Sequence, residues 1–197
     1  MLDWSGKDSY KLIVDVLHKD GVVLAASDTV LGLFTQLSEK SKLKLDAIKH
    51  RSLKPYIILI KSSGLLHHFT DQLIDSSMQK IIDKYWPGPL TIIFKAKPIL
   101  PDWMTSSSKT IAIRVPSHDG LQKILQDVDG LFTTSANVSN EKNPDRYANI
   151  NPEVLNLVQS VCCESDKVYA GPASTIIDLS SGSVEIVRSG AVEINSM

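Results

Sequence analysis

The sequence predicts a single α/β or α+β domain in which helices cover a β-sheet. Short apolar runs rich in β-branched residues alternate with stretches whose apolar residues recur at helical spacing. The 197 residues fit one domain, and with 43% hydrophobic residues they can bury a core. No repeat or linker composition divides the chain, so we expect one domain over residues 1–197.

The first half of the chain predicts helix, strand, helix and strand in turn. Asp8 or Ser9 can cap a helix with apolar residues at 12, 13, 16 and 17, and a glycine at 21 ends it. Val22–Ala25 is typical of a buried strand, and Ser38 can cap the next helix. Tyr56–Ile60 is the following strand.

The second half begins with an amphipathic helix from residue 73 or 74 to Tyr85, which the Pro87–Pro89 turn ends. A short helix with apolar residues at 121, 124 and 125 separates two later strands, and Pro152–Val161 is expected to form another helix. The predicted strands of this half are Leu90–Phe94, Thr110–Val115, Leu131–Thr134, Thr175–Leu179 and Val184–Val187.

Charge and hydropathy disfavour two classes of protein. Lys and Arg number 21 against 22 Asp and Glu, for a net charge of −1, so bulk electrostatic coating of nucleic acid is not expected. The apolar runs are too short to cross a membrane and no signal peptide is visible, so we expect a cytoplasmic protein without membrane contact. The adjacent Cys162 and Cys163 fit neither a disulfide nor a metal site, and we expect two reduced thiols.

The most basic segment of the chain lies between a predicted helix and a predicted strand. It contains Lys49, Arg51 and Lys54. A tight turn would bring the three cations to one point, which suits a polyphosphate because Arg binds it bidentately and Lys adds a point charge. Cations also favour a helix C-terminus for dipole reasons alone, and the pattern does not separate the two interpretations.

Small polar residues follow the predicted strand at 131–134. Ser135 and Asn137 belong to this segment, and the end of a strand in an α/β sheet is where ligands collect. Their hydroxyl and amide groups can donate to phosphate oxygens or to a base edge. An ordinary turn would use the same residue types.

Arg114 lies within an otherwise apolar strand. A buried charge needs a partner, which can be the carboxylate of a bound ligand or an internal Asp or Glu. His118 follows four residues later and can bind a ligand or cap the next helix.

Two further groups predict little by themselves. Thr29, in the segment Asp28–Leu33, offers a hydroxyl directly after a strand. The segment Gly171–Thr175 contains Ser174, and with Arg188 it is typical of a turn or a sheet edge.

Taken together, six short motifs occur in a fixed order from about Tyr10 to Gly190. They are Ser27–Leu33, Lys49–Arg51 with Lys54–Pro55, Trp86–Thr91, Ala112–Pro116, Thr134–Asn137 and Pro172–Ile176. No single motif is specific, but this set and order resemble the YrdC-like (TsaC) family, the threonylcarbamoyl-AMP synthases.

The resemblance implies both a fold and a reaction. The fold would be a twisted, mostly open mixed sheet with helices packed on it and a concave, positively charged cavity. The reaction would use ATP, L-threonine and bicarbonate or CO2 to make threonylcarbamoyl-AMP and pyrophosphate. The product would serve the t6A modification at position 37 of tRNA, with partner proteins transferring the threonylcarbamoyl group.

The resemblance also implies roles for the residues described above. Lys49 and Arg51 would be catalytic and, with Lys54, would clamp the phosphates of ATP, which would carry its own Mg2+. The nucleotide site would be completed by Ser135, Asn137, Ser174 and Arg188. The threonine site would consist of Thr29, Arg114 and His118. No metal site made of protein side chains is expected.

The sequence departs from the family pattern at two places in these motifs. Only two residues separate Arg51 from Lys54, one fewer than usual, and Leu31 stands where Tyr is common. Two alternatives therefore stay open beside the synthase. One is a module that holds tRNA or rRNA in the same basic cavity, and the other is a paralogue that keeps the nucleotide site but uses another substrate.

Overall fold

A computed structural model describes residues 2–6, 8–50, 55–139, 141–163 and 166–194 of the chain. The strands are β1 (Val23–Ala25), β2 (Gly32–Gln36), β3 (Ile57–Leu59), β4 (Leu90–Lys95), β5 (Thr110–Arg114), β6 (Leu131–Ser135), β7 (Ser160–Cys162), β8 (Thr175–Asp178) and β9 (Glu185–Arg188). The α-helices are α1 (Ser9–His18), α2 (Glu39–Lys49), α3 (Ser76–Tyr85), α4 (Asp119–Ile124) and α5 (Pro152–Leu157). Short 3-10 helices span Ser63–His68, Asp102–Met104 and Tyr147–Asn149.

All of these strands belong to one mixed sheet, in the order β7-β1-β2-β6-β3-β5-β4-β8-β9. The pairs β1/β7, β3/β5 and β4/β8 are parallel. The other neighbouring pairs are antiparallel. The mixed sheet with interleaved helices confirms the predicted α/β class.

The starts of two helices follow capping residues that the sequence shows, whereas the Asp8 side chain makes no capping hydrogen bond at α1. Ser38 accepts a hydrogen bond from the Ser41 amide and begins α2, as expected. The third helix begins at Ser76 instead of residue 73 or 74, because the Asp75 carboxylate accepts the amides of Ser77 and Met78. N-capping by Asp75 thus sets the start that apolar spacing placed one turn too early.

Two expectations about elements were wrong or incomplete. The predicted helix Pro152–Val161 ends at Leu157, since Ser160–Cys162 instead pairs in parallel with β1. The strand Gly32–Gln36 was not predicted, and it joins β1 to β6.

The sheet has two faces, and helices cover them unequally. On one face, α2 and α3 pack apolar side chains such as Leu45 and Ile81 against the strands. On the other face, α1 and α4 pack Ile13, Leu17 and Ile124 against the strands β1, β2, β3 and β6. The second face is therefore covered at its β7–β3 end.

The remaining half of that face is open. The strand register places Ala112 beside Ile57 and Ile93, and it places Ile176 beside Thr91. Ala112, Ile93 and Ile176 therefore lie on the same face of the sheet as Ile57. All three are only half-buried, and Arg188 at the edge is exposed. Because helices cover one half of this face and leave the other half bare, a hollow forms at the step where the helical cover ends.

The two cysteines are free and buried, as predicted. Burial raises the pKa of the Cys162 thiol to about 12, so it stays protonated and unreactive at neutral pH. Among the helices of the described residues, none has the length and apolar character needed to span a membrane.

Candidate active site

A cavity lies at this step in the sheet. It encloses about 960 Å³, part of which is open to solvent. Its walls come from the β1–β2 loop, the end of β6, and the segment that leads into β8. Segments distant in sequence, including Thr29, Arg114, Ser135, Ser174 and Arg188, thus line a common cavity.

Arg114 extends from β5 into this cavity, where only 6% of its side chain is exposed. Its Nε donates to the Gly88 carbonyl at 3.0 Å, and Nη1 donates to Thr29 Oγ1 at 3.1 Å. Its Nη2 forms an ion pair with Asp28 Oδ1. The buried charge that the sequence left without a partner is therefore paired internally, as one of the two interpretations required.

Asp28 joins the two loops that flank Arg114. Its second oxygen accepts hydrogen bonds from the Ser117 amide at 3.1 Å and from the Ser117 hydroxyl at 2.9 Å. Burial favours a higher pKa for the Asp28 carboxyl, but the Arg114 charge and the Ser117 hydrogen bonds outweigh it and lower the pKa. Asp28 therefore stays ionised at neutral pH and holds Arg114 and Thr29 in place.

A second guanidinium, that of Arg188, also lines the cavity. Arg188 Nη2 donates to the Ser174 carbonyl at 2.7 Å and to the Ser174 hydroxyl at 3.1 Å. That hydroxyl also shares a hydrogen bond of 2.8 Å with Thr91. Burial lowers the pKa of Arg188, and the positive charge of Arg114 lowers it further. The two guanidinium groups therefore lie close enough to repel each other.

The chain closes tightly around Ser174 just after Arg188. A Cβ on Gly190 would lie 2.3 Å from the Ala173 carbonyl oxygen. Only glycine therefore fits where the chain passes behind Ala173 and Ser174.

Lys49 lies behind the loop that follows β6, and the residue is 2% exposed. Its ammonium donates to the Ser135 carbonyl at 2.8 Å, to the Asn137 side-chain oxygen at 2.8 Å and to the Asn137 carbonyl. Ser135 Oγ donates to the same Asn137 side-chain oxygen at 2.5 Å. Lys49, Ser135 and Asn137 thus form one hydrogen-bonded group, of which Ser135 lines the cavity.

The other two predicted cations, Arg51 and Lys54, lie outside the described residues. Pro55, which follows them, lines the cavity. Their place in a phosphate clamp stays a prediction.

His118 lies beside the cavity rather than among its lining residues. Its Nδ1 accepts a hydrogen bond of 3.4 Å from the Leu121 amide and caps α4, and its ring packs on Trp4 at 5.0 Å between centroids. Burial lowers the pKa of His118 despite the neighbouring carboxylates of Asp28 and Asp119. It is therefore neutral near pH 7, and a role in binding threonine stays a prediction.

Sequence reasoning missed several residues of the site. Asp28 stood in a recognised motif but was not matched with Arg114, although a buried arginine requires a carboxylate. Thr133, Phe34 and Asn143 also line the cavity. Thr133 and Phe34 pair with each other across β6 and β2, which sequence spacing does not reveal.

Comparison with known proteins assigns the chain to a family. The Sua5/YciO/YrdC family model, described as "Telomere recombination", matches residues 15–190. The chain belongs to this family. The expected YrdC-like membership is therefore confirmed.

Relatives with names cover most of the sequence. A protein of Methanocaldococcus jannaschii, provisionally named a threonylcarbamoyl-AMP synthase, is 31% identical over 97% of this chain and 92% of its own length. A Buchnera aphidicola protein from the Acyrthosiphon pisum symbiont, named threonylcarbamoyl-AMP synthase, is 32% identical over 64% of this chain and 74% of its own length.

Solved structures share the fold at lower identity. P. abyssi Sua5 in complex with L-threonine superposes with a TM-score of 0.83 at 23% identity, over 92% of this chain and 54% of the Sua5 chain. E. coli YciO superposes with a TM-score of 0.81 at 19% identity, over 93% of this chain and 90% of its own. The chain thus spans little more than half of the Sua5 polypeptide and nearly all of YciO.

Proposed function

We propose that the chain is an L-threonylcarbamoyladenylate synthase, a nucleotidyltransferase that uses ATP, L-threonine and bicarbonate or CO2. The observation that carries the proposal is the convergence of two guanidinium groups, the buried Arg114 and the more exposed Arg188, on one cavity with Ser135. Such a site suits two anionic substrates at once. Relatives named threonylcarbamoyl-AMP synthases cover most of the same sequence.

The proposed reaction needs no side-chain nucleophile. The threonine nitrogen adds its electron pair to the carbon of CO2 and loses a proton, which gives a carbamate. A carbamate oxygen then attacks the α-phosphorus of ATP, and the bond to the bridging oxygen of the β-phosphate breaks. Threonylcarbamoyl-AMP forms and pyrophosphate leaves, so the protein's task is to position anions and offset their charge.

The β1–β2 loop and β5 form the proposed threonine end. Arg114 uses part of its N–H fork on Gly88, Thr29 and Asp28. We expect the rest of the fork, with the Thr29 hydroxyl, to hold the α-carboxylate of threonine. Because Asp28 fixes the guanidinium, this part of the site is formed before substrate binds.

The other walls form the proposed nucleotide end. Ser135 at the end of β6, and Ser174 with Arg188 near β8, present hydroxyl and guanidinium donors suited to phosphate oxygens. Lys49 holds the Ser135–Asn137 loop through three hydrogen bonds and adds a positive charge beneath it. Arg51 and Lys54 would extend this phosphate site.

Mg2+ would accompany ATP in the proposed reaction. Within the described residues there is no group of three His, Cys, Asp or Glu side chains that could hold a metal ion. Asp28, the acidic residue lining the cavity, is already engaged by Arg114 and Ser117. The ATP phosphates would therefore supply the ligands, and the ion would offset phosphate charge.

The proposed product is an activated acyl adenylate, which must be consumed by an acceptor. We propose that partner proteins transfer its threonylcarbamoyl group to tRNA in the t6A modification. The chain would then act as the first step of that modification.

Pyrophosphate release tests the proposal. The purified chain, with ATP, Mg2+ and bicarbonate, should release pyrophosphate only when L-threonine is added. Release that does not depend on threonine would contradict the proposal and favour another substrate. Arg188→Ala should reduce threonine-dependent release by at least tenfold, whereas Arg146→Ala, at a position outside the cavity lining, should not.

A further inference from the structure

The hydroxyl of Thr91 connects a fully buried position on β4 to the wall of the cavity. Thr91 is not one of the residues that line the cavity. Its Oγ1 lies 2.8 Å from the hydroxyl oxygen of Ser174, which does line the cavity. Among the described residues, Ser174 is the one hydrogen-bond partner of this hydroxyl. Any effect of the Thr91 hydroxyl on the site therefore passes through Ser174.

The burial of Thr91 decides the direction of this hydrogen bond. Either hydroxyl can donate to the other, because each has one hydrogen and two lone pairs. If Ser174 donated, the Thr91 hydrogen would have no acceptor in the part of the chain that the structure describes, and an unsatisfied buried donor is costly. Buried polar groups nearly always have a partner, so Thr91 donates and Ser174 accepts.

A second donor reaches the same Ser174 oxygen. Arg188 Nη2 lies 3.1 Å from it, and a guanidinium group can donate but cannot accept. The Ser174 oxygen thus accepts two hydrogen bonds, which use both of its lone pairs. Its own hydrogen then has no acceptor within the described residues, although Ser174 is only 3% exposed. A hydroxyl in this state at a cavity wall suits a ligand that presents an acceptor atom.

Other contacts fix the backbone at Ser174. The Thr175 amide donates to the Pro89 carbonyl at 3.0 Å. Arg188 Nε and Nη2 donate to the Ser174 carbonyl at 3.1 Å and 2.7 Å. Removal of the Thr91 hydroxyl should therefore change the direction in which the Ser174 hydroxyl points and leave the path of the chain unchanged.

We propose that Thr91 is a positioning residue, which donates to Ser174 and so directs the Ser174 hydrogen to an acceptor oxygen of ATP. This inference rests on the proposed function, which places the nucleotide at this wall, and it adds the internal group that makes Ser174 a donor. Phosphate oxygens accept hydrogen bonds and match a hydroxyl held in this way. A ligand that presents only N–H or O–H donors at this point would be disfavoured.

The test is a double-mutant cycle read by ATP binding. Isothermal titration calorimetry with ATP and Mg2+ gives the dissociation constants of the wild type, Thr91→Val, Ser174→Ala and the double variant. Ser174→Ala should weaken ATP binding by about tenfold, and Thr91→Val by about threefold or more, because Ser174 keeps its hydroxyl but loses its orientation. In the Ser174→Ala background, Thr91→Val should change affinity by less than about twofold.

The same cycle gives a second readout in stability. Ser174→Ala leaves the buried Thr91 donor without its partner and should lower the urea midpoint. Adding Thr91→Val replaces that donor by an apolar group of the same shape, so the double variant should regain part of the loss. A stability loss that instead adds up over the two substitutions would contradict a direct Thr91–Ser174 hydrogen bond.

Two controls separate positioning from general stability. Thr91→Ser retains the hydroxyl and should bind ATP within about twofold of the wild type. Thr35→Val makes the same change at another fully buried threonine, whose hydroxyl donates to the Gly21 carbonyl at 2.7 Å and does not line the cavity. It should lower stability without changing ATP affinity. In the pyrophosphate-release assay, Thr91→Val should raise the KM for ATP and change kcat by less than about twofold.

Three results would overturn the inference. One is wild-type ATP affinity in Thr91→Val, and another is an equal loss of affinity in Thr91→Ser and Thr91→Val. The third is a loss on adding Thr91→Val to Ser174→Ala that equals its loss in the wild type. If Thr91→Val alone does not fold, a difference above about twofold between the double variant and Ser174→Ala overturns the inference.

The outcomes also separate this inference from the proposed function. A wild-type chain that binds ATP but releases no pyrophosphate in response to threonine would contradict the proposed function, and the binding cycle would still decide the role of Thr91. A wild-type chain that does not bind ATP would overturn both.

Discussion

At the scale of single residues, the Asp28–Arg114 pair organises one end of the cavity. Both side chains are buried, with exposed fractions of 12% and 6%. Such a pair adds little net stability compared with apolar packing, but removal of one partner leaves an uncompensated buried charge. Its value here is geometric, since Asp28 also binds Ser117 and so ties together the loops that carry the predicted threonine ligands.

Asp28→Asn should therefore lower the free energy of unfolding by about 3 kcal/mol, because Arg114 keeps its charge and loses its partner. Urea unfolding at pH 7 measures this loss. The same variant should raise the KM for threonine more than the KM for ATP. Asp127→Asn, at an exposed position, is the matched control and should change the free energy of unfolding by less than about 0.5 kcal/mol.

The effect of Asp28 should depend on pH in one direction. Its pKa in the folded chain lies below the ordinary value of 3.8, so its contribution to stability is present above that pH and is lost as pH falls through the folded pKa. The difference in stability between wild type and Asp28→Asn should therefore shrink below pH 3.8. A constant difference from pH 7 to pH 2 would contradict the ion-pair account.

Lys49 offers a second prediction at the residue scale. Lys49→Met removes the ammonium that holds the carbonyls of Ser135 and Asn137, so the loop should loosen and the chain should lose roughly 1–3 kcal/mol. The KM for ATP should rise in the same variant. Lys40→Met is a control on the same helix, where 71% of the side chain is exposed. Equal effects of the two substitutions would show that Lys49 does not support the site.

At the scale of elements, the start of α4 connects the N-terminal segment to the cavity. The ring of Trp4 packs on His118 and against Gly120, where an added Cβ would lie 2.3 Å from the indole. His118 caps the helix with an unprotonated Nδ1, and Leu121 in its first turn lines the cavity. The shape of the proposed threonine end therefore depends on a cap that works only with neutral imidazole.

This cap predicts a pH effect on stability. Because the pKa of His118 in the folded chain lies below the ordinary 6.5, the unfolded chain takes up more protons as pH falls below 6.5, and stability decreases. His118→Asn keeps an N-cap acceptor that does not titrate, so stability should fall less between pH 7 and pH 5. Parallel urea midpoints for the two proteins over that range would contradict this account.

The same scale shows what the sequence could and could not predict. Local signals predicted the presence of α1, α2 and α4, and Ser38 was correctly identified as the cap of α2. The strand Gly32–Gln36 has no polar–apolar alternation, since its first four residues are all buried. The strand Ser160–Cys162 exists through parallel pairing with β1, a contact between distant segments that made the predicted helix too long.

For the site as well, local motifs could be predicted from the sequence, whereas contacts between distant strands could not. Residue types and motif order identified Thr29, Arg114, Ser135, Ser174 and Arg188, which all line the cavity. The place of Thr133 between Phe34 and Ile57 depends on strand register, which periodicity does not determine. The fold brings these groups together across the sheet rather than along the chain.

At the scale of the whole molecule, the unequal covering of the sheet creates the site. Helices α1 and α4 cover one half of a face, and the cavity lies where that cover ends. In P. abyssi Sua5 the matched region is 54% of the chain, so a similar fold also occurs within a larger polypeptide. We expect the proposed substrates to enter and leave at the open half of the sheet.

Ligand binding should stabilise this open molecule. ATP with L-threonine at 100 times their dissociation constants should each add about 2.7 kcal/mol, which for a chain of this size corresponds to a Tm increase of roughly 5–10 °C per ligand. Differential scanning fluorimetry measures the shift. L-Threonine that produces no shift, with or without ATP, would contradict the presence of a threonine site.

The most direct measurement follows labelled carbon into the product. The chain is incubated with ATP, Mg2+, L-threonine and 13C-bicarbonate, and the nucleotides are analysed by mass spectrometry. The account predicts a threonylcarbamoyl-AMP whose mass rises by about one unit with the label and which is absent without threonine or in Arg114→Ala. Pyrophosphate release with no labelled adenylate, or a labelled adenylate formed without threonine, would contradict it.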